Sequence, residues 1–254
     1  MRRGFVRVLW GEFLSDDLSN LSDLEQQYNF KFDKENKILI RRFKIEDDIK
    51  KCMQKEFIEP FTVYTFGEKN HKQLTDMGIK SVLIHKEPYK YTPIKGIYKH
   101  KIDAWQYIMN DFDEVVFLDW DTYLTKPLPV DFWERMNKKE IFQAVLGKYK
   151  TARIHYRTDL KSNHLIPLGA FVYMRDKSIP EKLTKYNVGS NAWSCEPAYA
   201  QLTDELSGGW QGIQKYWELF EPEFYATKIS PYKFLKGFKK PDVCFGNGFK
   251  DTKG

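Results

Sequence analysis

The stretch "DEVVFLDWDTYL", residues 113 to 124, decides the fold. Its four consecutive apolar residues, Val115 to Leu118, predict a strand buried on both faces. Such strands belong to the interior of a parallel sheet, whereas a half-solvated antiparallel strand alternates. The strand runs directly into Asp119, Trp120 and Asp121. Two carboxylates at the edge of a core lose hydration and repel each other, so a cation is needed to offset the cost. Because side chains alternate along a strand, Asp119 and Asp121 are expected on one side and Trp120, as a packing residue, on the other. At the C-terminal end of a parallel strand, that shared side is the crevice in which open α/β sheets bind ligands. Two hard oxygen donors there suit Mg2+ or Mn2+ and leave coordination positions for the oxygens of a diphosphate.

The flanking sequence agrees with this placement. "FVRVLWG", Phe5 to Gly11, reads as a first buried strand and "ILIRRF" as a second. Ile45, Ile49, Cys52, Met53 and Phe57 recur on one helical face, which Pro60 ends. "FTVYTFG", 61 to 67, is a strand, followed by a helix over roughly 69 to 77 with Gly78 at its C-terminal cap. "SVLI", 81 to 84, is another strand. Strand and helix therefore alternate, which predicts an α/β fold with a mostly parallel central sheet flanked by helices.

Residues 85 to 101 carry five lysines, two histidines and one acid, and Pro88, Pro93 and Gly96 make their first part a loop. Ile102, Trp105, Ile108 and Met109 then mark one face of the helix that leads into the central strand. In the second half, "PVDFWERM" predicts a helix, and "IFQAVLG" (141 to 147) and "LGAFVYM" (168 to 174) predict strands. A helix over 197 to 206 opens on Pro197, with Tyr199, Leu202 and Leu206 on one side. Trp210, Ile213, Trp217 and Phe220 form a further helical stripe.

Composition sets the class. The 254 residues fit one large domain or two tightly joined halves. With 42% apolar and 30% charged residues, the chain is an ordinary soluble globular one. A net charge of +6 is modest and does not by itself imply a nucleic-acid binder, which usually concentrates its charge on one face or tail; it suits an anionic small ligand such as a nucleotide. Cys52, Cys195 and Cys244 are odd in number and share no metal-ligand spacing, which predicts reduced thiols. Arg7 interrupts the N-terminal apolar stretch, so no signal peptide is expected there, and no run of 18 apolar residues predicts a membrane span. The resulting expectation is a soluble, cytoplasmic protein.

Over residues 99 to 128, "KHKIDAWQYIMNDFDEVVFLDWDTYLTKPL" resembles the central signature of the GT-A fold glycosyltransferases with a DxD motif. A lysine-led helix, an apolar strand and Asp-x-Asp follow one another in both. The chain is similar to the compact, anchorless type that bacteria and viruses encode. The resemblance implies a single GT-A (Rossmann-like) domain over 1–254, with a nucleotide-sugar-binding half at 1–125 and an acceptor-binding half at 126–254. It implies transfer of a sugar from a UDP- or GDP-sugar to a saccharide or glycoprotein acceptor, with Mn2+ or Mg2+ as cofactor. Asp119 and Asp121 would hold the metal, Asp119-Trp120-Asp121 would form the diphosphate segment, and Val8, Leu9 and Trp10 would lie near the base. Some families of this fold end in His-x-x-Gly-x-x-Lys, whose histidine binds the metal. Here "CFGNGFK" offers Gly246, Gly248 and Lys250 but no histidine, leaving Asn247 or water for that position.

Cleavage of a sugar–diphosphate bond builds negative charge on the leaving oxygen, which a metal and lysines stabilise. Lys95, Lys99 and Lys101 are the candidates, Lys101 foremost because it opens the helix before the metal strand. If the anomeric centre inverts, a carboxylate base is required beside the acceptor hydroxyl. Glu196, just before Pro197, is the candidate, ahead of Asp204 and Glu205; an acid there also serves as an ordinary helix cap. Gly169, His164, Trp193 and Trp210 are candidate sugar contacts. Two rival functions remain at this level. A haloacid-dehalogenase-like phosphatase also places two aspartates after an apolar strand, but wants Thr or Val where Tyr123 stands. A non-catalytic nucleotide-sugar- or carbohydrate-binding protein on the same fold is the other.

Overall fold

The computed structural model describes residues 1–10, 12–13, 30–33, 38–41, 61–85, 99–120, 122–124, 127–137, 141–148, 165–185, 198–199, 202, 217–219, 225–226 and 245–247. In chain order the elements begin with β1 (Arg3–Leu9), β2 (Glu12–Phe13), β3 (Phe30–Asp33), β4 (Ile38–Arg41), β5 (Phe61–Phe66), α1 (Glu68–Asp76) and β6 (Ser81–Ile84). They continue with α2 (Lys99–Asp111), β7 (Glu114–Leu118), β8 (Thr122–Leu124), α3 (Phe132–Met136), β9 (Ile141–Lys148) and β10 (Leu165–Met174). The last are α4 (Ile179–Thr184), β11 (Trp217–Leu219), β12 (Tyr225–Ala226) and β13 (Phe245–Asn247).

The main sheet has seven strands in the order β11-β9-β10-β7-β1-β5-β6. Strands β6, β5, β1 and β7 run parallel, and β10 alone in this sheet runs against its neighbours. The continuous apolar run at 115 to 118 is thereby explained: β7 lies between β1 and β10, and all five of its residues are buried.

Helices cover both faces. On one, Ile102, Trp105, Ile108 and Met109 of α2 and Ile179 and Leu183 of α4 pack with Val6, Val8, Tyr64, Val115 and Phe117. Ala198, Tyr199 and Leu202 join the same core, and Trp105 Nε1 donates to Tyr199 Oη at 2.8 Å. On the other face, Leu74 of α1 packs with Leu9 and Val63, and Trp120 and Phe61 lie against them. Gly78 has φ 74, the left-handed geometry expected just beyond the end of α1. Among the described residues, no helix is long and apolar enough to cross a membrane.

The structure departs from the sequence expectations in several places. Trp217 lies in β11, which pairs in parallel with β9, and not on a helical stripe. Tryptophan and leucine satisfy a half-buried strand as readily as a helix, so four apolar positions could not separate the two. Strand β10 begins at Leu165, before the expected Leu168, and its pairing with β9 shifts at Ile166/Pro167 and between Leu168 and Val172. Pro167 has no N–H for the ladder, and such residues sit at irregularities; Gly169 falls inside the second shift. Finally, the strand ends at Leu118, before Asp119, and Thr122 N–H donates back to Asp119 O at 3.0 Å. The helix expected over 45 to 57 lies outside the described residues.

Tyr64 makes one pH dependence legible. Its fully buried phenol donates to Asp111 Oδ2 at 2.5 Å. Burial, then that bond and the Asp111 charge, push its pKa far above the ordinary 10.0. The folded state therefore holds the phenolic proton more tightly than the unfolded chain. The associated stability is complete below pH 10 and is lost as pH rises beyond it, by at most about 1.4 kcal/mol per pH unit. Urea melts of wild type and Tyr64→Phe across pH 8 to 11 test this. The wild-type advantage, about 1 kcal/mol at pH 8 from the hydrogen bond, is expected to shrink and reverse at alkaline pH.

Candidate active site at the sheet switch point

Consecutive parallel strands β1, β5, β6 and β7 stand in the spatial order β6-β5-β1-β7. The chain thus winds outward from β1 to β6 and then returns to the other side of β1. Between β1 and β7 the connections leave in opposite directions, which opens a crevice at the C-terminal ends of these two strands. Trp10 follows β1 and Asp119 follows β7 at that edge.

Asp119 is gripped from both faces of the sheet. Its carboxylate continues the face of Val115 and Phe117, toward α2, where Lys101 Nζ donates to Oδ1 at 2.6 Å. The Lys101 side chain is only 3% exposed and its ammonium lies 4.6 Å from the Phe117 ring centroid. Asp119 itself is 35% exposed, so the pair meets where interior gives way to crevice. On the other face, the buried Arg7 guanidinium donates to the main-chain oxygens of Asp119 and Thr122, the latter at 2.7 Å. Thr122 N–H also donates to Asp119 O at 3.0 Å, closing a tight turn. Trp120 turns away from Asp119 as expected, donating from Nε1 to Val8 O at 3.0 Å and meeting Phe61 edge-on.

The helix that supplies Lys101 breaks a local rule. Its first three residues are Lys99, His100 and Lys101, and its first turn has no acid. Cations at a helix N-terminus oppose the macrodipole. Local rules are most often broken at functional sites, and here the offsetting partner of Lys101 is Asp119.

The other expected residues divide clearly. Val8 and Leu9 are core side chains, 2% and 1% exposed, so only their backbone could meet a ligand. Trp10 is part-exposed and stacks parallel to His100, ring centroids 6.2 Å apart, while His100 meets Phe66 at 4.9 Å. Lys99 donates to Thr184 O at 2.6 Å and lies 3.5 Å from Asp103, engaged with α4 rather than with Asp119. Asp121, Lys95, Glu196 and Lys250 lie outside the described residues, as do His164, Trp193, Asp204, Glu205 and Trp210. The strand that carries Asp119 to the edge ends at Leu118, and the expected common direction of Asp119 and Asp121 lies outside the described residues, since Asp121 does.

The C-terminal segment does reach this place. Strand β13 pairs antiparallel with β8, in register Asn247 to Thr122 and Gly246 to Tyr123. The backbone of Phe245–Asn247 is therefore brought beside Thr122 and the end of the turn that begins at Asp119. Two residues escaped the sequence reading. Arg7 had a signal, a lone cation inside an otherwise apolar strand. His100 had none beyond its place in a basic run.

As a donor set the site is all-oxygen at Asp119, and it already attracts a cation from its own chain. Among the described residues no three His, Cys, Asp or Glu side chains gather as a ready metal cage. A divalent ion held through one or two carboxylates, with substrate oxygens completing its sphere, fits such a site.

No family model matches the chain, and no curated protein matches it. Among solved structures it is similar to mouse xyloside xylosyltransferase 1 in its apo form. The TM-score is 0.47 at 7% sequence identity, with 97% of each chain covered.

Proposed function

We propose that this chain is a divalent-metal-dependent glycosyltransferase that moves a sugar from a nucleotide-diphosphate sugar to a saccharide or protein acceptor. The observation that supports it most is Asp119 at the β1/β7 switch point, with the buried Lys101 ammonium on its carboxylate. The resemblance of residues 99 to 128 to the DxD glycosyltransferases adds to it.

In this reading Asp119 and Asp121 hold Mn2+ or Mg2+, and the ion, when bound, neutralises charge building on the leaving diphosphate. Lys101 stands beside the same phosphates as a second, fixed positive charge. Its burial prevents it from wandering, so little reorganisation is needed as charge develops. The Trp10–His100 pair offers a flat aromatic edge to the nucleoside. Glu196 stays the candidate base for an inverting reaction, and Lys250 a candidate for the phosphates.

A thermal-shift screen of UDP- and GDP-sugars with and without Mn2+ tests the proposal. A ligand at 100 times its Kd stabilises the folded state by about 2.7 kcal/mol, or roughly 5 to 10 °C for a chain of this size. Such a shift is expected for at least one donor, with Mn2+ only. Asp121→Ala is expected to remove it. If no nucleotide-sugar raises the melting temperature with Mn2+ present, the proposal is wrong.

A further inference from the structure

We infer that Arg7 is a positioning residue, one that holds the Asp119–Thr122 turn in the shape that presents the Asp119 carboxylate to a divalent cation. This role presupposes the metal-dependent reading above and adds to it a residue far back in the sequence, on a different strand.

Arg7 occupies the middle of β1, a strand with neighbours on both sides, and is 2% exposed. Burying a guanidinium there costs free energy that an apolar residue would not. What the guanidinium does in return is specific. Its two terminal nitrogens donate to two different backbone oxygens, those of Asp119 and Thr122, which are the first and last residues of one turn. A planar fork with fixed donor directions places one nitrogen on each acceptor, whereas a lysine would have to serve both from a single, freely rotating ammonium. The fork is itself held, with its carbon 4.8 Å from the Phe61 ring centroid and 5.5 Å from that of Trp120.

A second tether makes the clamp directional. Trp120 Nε1 donates to Val8 O, so residues 7 and 8 of β1 hold the turn by both its carbonyls and its central ring. Rotation about the Asp119 backbone is then fixed on one face by Arg7, while Lys101 meets the carboxylate on the other. A carboxylate whose backbone is fixed loses less conformational freedom when it binds an ion. Residues that orient metal ligands typically change metal affinity by 10- to 100-fold when altered.

The test compares wild type with Arg7→Lys, which keeps the charge but loses the planar fork. Mn2+ alone is titrated calorimetrically into each protein, and melting temperatures are taken without metal. Arg7→Lys is expected to fold and to bind Mn2+ at least 10-fold more weakly than wild type. A residue that merely filled the core would lower the melting temperature and leave Mn2+ affinity unchanged; that result overturns the role of Arg7 and leaves the metal site standing. Wild-type protein that binds no Mn2+ overturns both. Should Arg7→Lys not fold, amide exchange in the wild type decides the matter. The Thr122 N–H is expected to exchange as slowly as the amides of β1, and exchange at the rate of an untethered turn overturns the clamp.

Discussion

Asp119→Asn is expected to abolish metal-dependent nucleotide-diphosphate binding, with Mn2+ affinity reduced by two to three orders of magnitude. The substitution keeps size and one acceptor oxygen but removes the charge. Coulomb attraction between unit charges 4 Å apart is about 4 kcal/mol at an effective dielectric of 20, and a divalent ion at a carboxylate sits closer than that. Stability suffers much less. Removing one partner of a fully buried pair costs about 3 to 5 kcal/mol, but Asp119 is 35% exposed and the amide oxygen can still accept from Lys101. A loss of roughly 1 to 2 kcal/mol is expected on that account. Titration of Mn2+ into the folded variant, with a parallel melt, separates the two quantities. Wild-type Mn2+ affinity in folded Asp119→Asn would rule out a metal at this carboxylate.

Lys101→Met is expected to move metal and diphosphate in opposite directions. Without metal, the Lys101 ammonium is the cation on Asp119, 2.6 Å from Oδ1. An incoming Mn2+ must share that carboxylate with it and is repelled by it. Replacing the ammonium by a methionine of similar volume removes the competitor, so Mn2+ alone should bind about 10-fold more tightly, a gain of about 1.4 kcal/mol. The same change removes a positive charge beside the phosphates, so UDP or GDP in the presence of Mn2+ should bind 10- to 100-fold more weakly. Stability without metal should fall by roughly 1 to 2 kcal/mol, because Asp119 loses the partner of its charge, a cost that its 35% exposure to water moderates. The two affinities are measured on one protein by titrating Mn2+ with and without the nucleoside diphosphate. If both fall together, Lys101 acts by supporting the fold, and its place beside the phosphates is wrong.

The parallel core was legible because its signals were local. Val115 to Leu118, continuous and set in an alternation of strand and helix, read as a strand buried on both faces, and Ile102, Trp105, Ile108 and Met109 as the face of a helix packed on it; all eight are buried. Asp119 was found because it terminates that strand. Its partners were harder. Lys101 could be singled out from five lysines only by its position at the helix start, and the sequence suggested a phosphate partner where the structure shows the carboxylate itself. Arg7 stood in plain view but lies 112 residues from Asp119, and no local pattern says which backbone oxygens a buried guanidinium will meet. Val8 and Leu9 were placed near a ligand because they end a strand at the right edge; alternation then turned one into each core. The turn after Leu118 was missed because Asp-Trp-Asp carries neither glycine nor proline.

The pairing of β8 with β13 also sets a clock on biosynthesis. Residues 245–247 leave the ribosome about 120 residues after β8 does. At 5 to 20 residues per second, that delay is roughly 6 to 24 seconds. Throughout it, β1 and β7 are already available to fold, and Arg7 and Trp120 can already seat the turn, while β8 waits without its strand partner. A nascent chain of this protein therefore presents an open strand edge beside an acidic turn for many seconds. Ribosome-bound intermediates stalled within that window should be the ones that chaperones capture.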